Sequence, residues 1–189
     1  MMNILAKYIK IPKKLKNDEV KPKEFDIKRF EDAYQTYFVS AYAELSTGHK
    51  ETHWMWFIFP QLQGLGYSSM SYEYGISCKE EAKAFLQNEY LNNSLHMLCR
   101  TLLKLETNNA LEVFGSPDDL KLKSSMTLFS LVSPDDETFK LVLDKFFNGE
   151  MCERTIKEIK DIDEFGPWKA ATFDGKTLPP GYVYRSKRC

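Results

Sequence analysis

Net charge is nearly absent from this chain: 26 Lys and Arg stand against 27 Asp and Glu, a formal balance of -1. Such a chain has no overall field to draw it onto nucleic acid or an anionic membrane, so any partner must be recognised by a local patch. Paired cysteines are missing as well. Cys78, Cys99, Cys152 and Cys189 lie far apart with no Cys-x-x-Cys spacing. That excludes a zinc ribbon and a thioredoxin-like site, and points to free thiols in a reducing, cytoplasmic compartment. No apolar run approaches the roughly 20 residues of a membrane span, so no membrane partner is expected. Lys7 and Lys10 interrupt the apolar start that a secretory signal needs. Histidine is scarce, three residues in all, which leaves little material for a metal centre or an imidazole dyad.

What is present is enough apolar surface for one core. With 189 residues, 43% of them hydrophobic, the chain has the size of a single domain that folds without staples. Residues 1 to 24 carry Lys7, Lys10, Lys13, Lys14, Lys16, Lys21 and Lys23 with two prolines and read as a flexible arm. From Ile27 to Leu45 apolar residues recur at three- and four-residue steps behind Asp26, an expected N-cap. Trp54 to Phe59 is apolar throughout and must be buried, whether as helix or strand. Ser77 and Glu80 form a capping-box pattern, and Leu91, Leu95, Leu98, Leu102 and Leu105 mark a core helix. The tetrapeptide Ser-Pro-Asp-Asp occurs at 116–119 and again at 133–136. Each copy should open a helix, with serine as cap and the acids in the first turn. A last helix is expected over Cys152 to Ile159, and no segment alternates as a strand would. The fold class is therefore mainly α: a compact multi-helix domain over 25–165, with an irregular tail over 166–189.

The runs His53-Trp-Met-Trp-Phe-Ile-Phe-Pro-Gln61, Gly64-Leu-Gly66, Phe114-Gly-Ser-Pro-Asp-Asp-Leu-Lys-Leu122 and Ser124-Ser-Met-Thr-Leu-Phe129 resemble the domain of unknown function eighteen-ten. That is a family of small, mainly helical, largely bacterial proteins. The resemblance runs from about Arg29 to Phe147 and departs at Gly75, where a small alanine is expected. It implies the helical fold and transfers no catalytic roles.

Candidate chemistry concentrates in two of these motifs. Trp54 and Trp56 offer stacking faces for a nucleobase, Gln61 and His53 hydrogen bonds, and Gly64 and Gly66 close approach of backbone to a phosphate or sugar. The competing reading is that the tryptophans are core and the glycines a turn. Gly64-x-Gly66 lacks the third glycine of a dinucleotide fingerprint, so no cofactor is called for. His49 and His53 stand four apart, but Lys50 occupies the place of the zincin glutamate, and no metal is expected. Lys121 adds a cation, and Ser124, Ser125 and Thr127 put hydroxyls in an apolar helix. Those hydroxyls either face a ligand or bond to the carbonyl four residues back. For hydrolysis of an N-glycosidic bond His53 is the acid-base candidate, and Glu44 or Asp119 the carboxylate. Glu44 and Arg29 otherwise read as solvated, and Asp118 and Asp119 as helix-capping acids. The leading expectation is a small-molecule domain for a nucleotide or sugar-phosphate ligand of the ADP-ribose kind. The alternative is a helical protein-interaction module, whose interior would be filled around both tryptophans and whose surface would expose an apolar patch. Nucleic-acid binding through the lysine-rich arm ranks below both.

Overall fold

The first helix, α1 (Lys28–Ser46), starts one residue later than the periodicity predicts, with Ile27 in the cap position. Asp26 nonetheless accepts from the Arg29 amide at 3.3 Å and so serves the first turn. Its buried face is Phe30, Ala33, Tyr34, Ala41 and Leu45. The structure, a computed structural model, describes residues 25–165 and four two-residue strands between 169 and 184. The expected arm of residues 1 to 24 lies outside the described residues.

The all-apolar run becomes a single helical turn, α2 (Met55–Ile58), held to α1 by the Tyr34 hydroxyl, which donates to the Ile58 carbonyl at 2.5 Å. Two further short helices, α3 (Ser69–Glu73) and α6 (Ala110–Phe114), escape periodicity because five residues complete little more than one turn. Their caps, Ser68 and Asn109, accept from backbone amides inside the turn that follows. Before α4 (Lys79–Gln87) the capping pattern is shifted: Glu81, not Glu80, accepts from the Ser77 amide at 2.7 Å and hydroxyl at 2.6 Å. Glu81 is the buried acid of the pair, and Arg29 meets its other oxygen at 2.7 Å. Arg29 is therefore paired rather than solvated.

The two Ser-Pro-Asp-Asp copies work differently. After α5 (Glu89–Lys104), the first copy does open α7 (Asp118–Val132), but Pro117 holds the cap position, the Ser116–Pro117 peptide is cis, and no side chain caps the helix. In the second copy Ser133 closes α7, donating to the Phe129 carbonyl at 2.6 Å, while Asp136 accepts from the Thr138 amide at the start of α8 (Thr138–Phe147). Asp136 also meets His96 of α5 at 2.6 Å, so the half-buried histidine ties α5 to the turn before α8. The last helix, α9 (Glu153–Phe165), runs beyond its expected end. Past it, β1 (Lys169–Ala170) pairs antiparallel with β4 (Val183–Tyr184), and β2 (Thr172–Phe173) with β3 (Lys176–Thr177).

α7 is the axis of the fold, packing against α2, α4, α6, α8 and α9, while α1 and α8 lie on α5. Phe30, Phe85, Phe129 and Phe139 run through the core in a continuous series with ring centres 5.2 to 5.4 Å apart. Because α7 is enclosed by neighbours, its buried positions include the small hydroxyl residues Ser124, Ser125, Thr127 and Ser130. Among the described residues no helix is long and apolar enough to cross a membrane.

Candidate functional site

Two motif segments distant in sequence meet beside α7. After Pro60 the chain turns back so that Leu62 forms a parallel bridge with Ile76, the Gln61 carbonyl accepting from Ile76 at 2.8 Å and the Gln63 amide donating to it at 2.9 Å. This pins Gln61 to Gly66 against the first two turns of α7. Between them lies a cleft of about 260 Å³ lined by Trp56, Gln61, Leu65 and Gly66 on one side, Pro117, Leu120, Lys121 and Ser124 on the other, and Arg154 from α9.

Close packing sets the shape of that wall. A Cβ on Gly66 would stand 2.6 Å from Trp56 Cζ2 and 2.9 Å from Ser71 Cβ, so only glycine lets the loop lie against the indole. Gly75 has the same reason: a Cβ there would stand 2.4 Å from the Ser71 carbonyl oxygen and 2.9 Å from Gln63 Cα. The alanine that the family resemblance suggests has no room in this chain.

The cleft is cationic. Asp118 lies behind it, between Lys50 at 2.6 Å and Lys121 at 2.7 Å, so two ammonium groups share one carboxylate. Burial alone would raise the Asp118 pKa, but the hydrogen bonds and charges of Lys121 and Lys50 outweigh it and hold the carboxyl below its ordinary value. Lys121 also stands 5.9 Å above the Trp56 ring centre, and Arg154 donates to the Leu65 carbonyl at 3.4 Å. Among the described residues, no carboxylate and no histidine lines the cleft. Gln61 is 2% exposed, and its Nε2 is buried with no hydrogen-bond partner among the described residues. Ser124 donates to the Leu120 carbonyl at 3.0 Å and stands 3.3 Å from the Cys152 sulfur. Burial would raise the Cys152 thiol, yet donors from Ser124, Thr155 and Arg154 bring it below its ordinary value at the start of α9.

Of the residues nominated from sequence, Trp56, Gln61, Gly66, Lys121 and Ser124 line the cleft. The others lie elsewhere. Trp54 is fully buried, its indole N–H given to Glu44 at 2.8 Å, so it is core and presents no stacking face. Glu44 also accepts from the amides of Glu51 and Thr52 and from the Thr52 hydroxyl. Burial pushes its pKa up, but these donors outweigh it and lower the value. His53 is exposed on the same loop, outside the cleft. Asp119 faces a separate cavity with Lys123 and Lys145, its Oδ1 buried and without a partner among the described residues. Gly64 turns the chain at φ +96° without reaching the cleft. Ser125 is buried with no partner among the described residues, and Thr127 donates to the Lys123 carbonyl and accepts from the Cys152 amide at 2.8 Å, tying α7 to the start of α9.

The same segments identify the chain. The family described as "Protein of unknown function (DUF1810)" matches residues 24–159. The chain belongs to that family. It is similar to the crystal structure, at 1.38 Å, of the conserved hypothetical protein Rv1873 from Mycobacterium tuberculosis, with 43% identity, 72% of this chain and 97% of that one covered, and a TM-score of 0.70. No curated protein matches. The expected family and its mainly helical fold are thus both borne out. Among the cleft residues of this DUF1810 chain, Leu65, Pro117, Leu120 and Arg154 were not foreseen. Arg154 belongs to a helix with no local motif, and only the turn of the chain between α8 and α9 brings it to the opening.

Proposed function

We propose that this protein is a small-ligand-binding domain whose cleft beside α7 takes a nucleotide or related sugar phosphate. The observation that carries this reading is the convergence of Trp56, Gln61, Lys121, Ser124 and Arg154 on one concave surface. An aromatic ring, a neutral amide, a hydroxyl and two cations suit a ligand with a planar body and a negative charge. The reading is one of binding, not hydrolysis. His53, Glu44 and Asp119 all lie outside the cleft, so none of these three acid-base candidates faces a ligand there. The interaction-module alternative draws support from Tyr37, Val39 and Tyr42, exposed on α1. It expects a filled interior around both tryptophans, which Trp54 meets and Trp56 does not.

The test is a thermal-shift panel of nucleotides, ADP-ribose and sugar phosphates on wild type and an Arg154→Ala variant. Arg154 is exposed, so its removal should leave the unliganded melting temperature unchanged. At 100 times its Kd a ligand adds about 2.7 kcal/mol of stability, which raises the melting temperature by about 5–10 °C for a chain of this size. That rise should shrink in the variant. Flat curves for wild type across the panel would remove the proposal and leave the interaction module.

A further inference from the structure

The cleft has a neighbour on the far side of Leu120. Between α6, α7 and α8 lies a second cavity of about 480 Å³, where Leu120 is joined by Asn108, Asn109, Asp119, Lys123 and Lys145. Successive residues of α7 point about 100° apart, which puts Asp119 and Lys123 on the cavity side, Lys121 and Ser124 on the cleft side, and Leu120 between them. Leu120 is 59% exposed and forms a wall of both. The cleft alone, at about 260 Å³, is smaller than the roughly 300–1,000 Å³ of a typical ligand site. Joined over Leu120, the two spaces fall within that range.

The two spaces accept different chemistry. Lys121 and Arg154 give the cleft its charge. In the cavity both cations are engaged, Lys123 with Glu150 at 3.0 Å and Lys145 with the Leu103 and Leu105 carbonyls, and neither pairs with Asp119. That carboxylate has no hydrogen-bond or ion-pair partner among the described residues. Its Oδ1 is turned inward and buried, but the residue is half-buried and lines the cavity, so Oδ2 is the oxygen presented to an occupant. Asn109 commits its Oδ1 to the Leu111 and Glu112 amides, which leaves its side-chain nitrogen to donate. An unpaired carboxylate repels phosphate and accepts from hydroxyls, as the acid that holds a ribose does in dinucleotide-binding folds. We propose that the cavity is the sugar subsite of the cleft's ligand, which is thereby a nucleoside diphosphate sugar. The base lies against Trp56, the diphosphate stands at Lys121 and Arg154, and the terminal sugar passes over Leu120 to donate a hydroxyl to Asp119 Oδ2. This rests on the nucleotide reading above and deepens it.

The experiment is calorimetric titration of the full chain with ADP, UDP and GDP and with ADP-ribose, UDP-glucose and GDP-mannose, repeated on Asp119→Asn. Attaching a sugar to the terminal phosphate removes negative charge, so the cations of the cleft alone would favour each parent diphosphate. The expected result has the opposite sign: one nucleotide sugar binds about tenfold more tightly than its parent, the scale of one hydrogen bond to a charged group. Asp119→Asn should abolish that gain without weakening the parent diphosphate. Asp119 is half-buried and unpaired, so the variant should fold; if it does not, the sign of the preference in wild type decides alone. Equal or tighter binding of every parent diphosphate overturns the sugar subsite and leaves the nucleotide reading standing. A gain that survives in folded Asp119→Asn does the same. Absence of binding by every compound removes both.

Discussion

Every donor that reaches Glu44 comes from the segment joining α1 to α2: the amides of Glu51 and Thr52, the Thr52 hydroxyl and the Trp54 indole. The carboxylate therefore closes a loop and satisfies a buried tryptophan, which accounts for its presence without any reaction. Replacing Glu44 with alanine leaves the Trp54 N–H without its acceptor. The expected cost is about 1–3 kcal/mol, read as a lower midpoint in urea unfolding with an unchanged slope. Ligand stabilisation at the cleft, measured relative to the unliganded variant, should persist. An unaltered midpoint would show that the loop closes without this acid. Asp118 and Asp119 teach the same lesson in one peptide step. Successive helical residues point about 100° apart, so Asp118 meets Lys50 and Lys121 while Asp119 faces the cavity of Lys123 and Lys145.

Among the elements, α7 shows how far a pattern can be read. Helices with one wet face, α1, α5 and α8, announce themselves by apolar steps of three and four. α7 is enclosed by five other helices and has no wet face along most of its length, so its residues were legible as helix through the Ser-Pro-Asp-Asp signal rather than through periodicity. Enclosure also explains its hydroxyls, two of which, on Ser124 and Thr127, return to the carbonyl four residues back. Ser125 finds no partner among the described residues and is fully buried. Ser125→Ala should therefore stabilise the protein by about 1 kcal/mol, since it deletes an unsatisfied hydroxyl and improves helix propensity. Calorimetry should show a melting temperature higher by about 2–4 °C, and a lower one would mean that the hydroxyl is satisfied by water. The cleft was legible to the extent that its groups sit inside motifs, as Trp56, Gln61, Gly66, Lys121 and Ser124 do. Trp54 and Trp56 are indistinguishable in a run that is apolar at every position, and only the direction of the α2 turn sends one inward and the other to the cleft. Arg154 arrives by tertiary structure alone.

Across the whole molecule the ionisable groups set both edges of a stability plateau. On the acid side, Glu44, Asp118 and Asp136 all titrate below their ordinary values of 4.5, 3.8 and 3.8. In each, burial acts to raise the pKa and is outweighed by donors: the Thr52 side chain and its neighbouring amides, the two lysines, and Thr138 with His96, respectively. A carboxyl with a depressed folded pKa contributes stability that is complete above the unfolded value and is lost as pH falls through the folded one. The loss should thus begin below about pH 5 and deepen through pH 3. On the alkaline side, burial raises Cys78 and Cys99 from 9.0 and Tyr34 from 10.0. The folded state then keeps protons that the unfolded chain releases, and stability declines as pH rises past 9. Cys152, lowered from the same 9.0, acts in the opposite sense and softens that decline. The melting temperature should accordingly be level from about pH 5 to 8 and fall at both ends. Asp118→Asn separates one contribution from the rest, because the variant loses the Lys50 and Lys121 charge pairing at every pH. It should melt lower than wild type at pH 7, and the gap should narrow towards pH 3, where the wild-type carboxyl is itself becoming protonated. A gap of constant size down to pH 3 would show that Asp118 acts through shape and hydrogen bonding alone, and that its charge adds nothing to the hold of the two lysines behind the cleft.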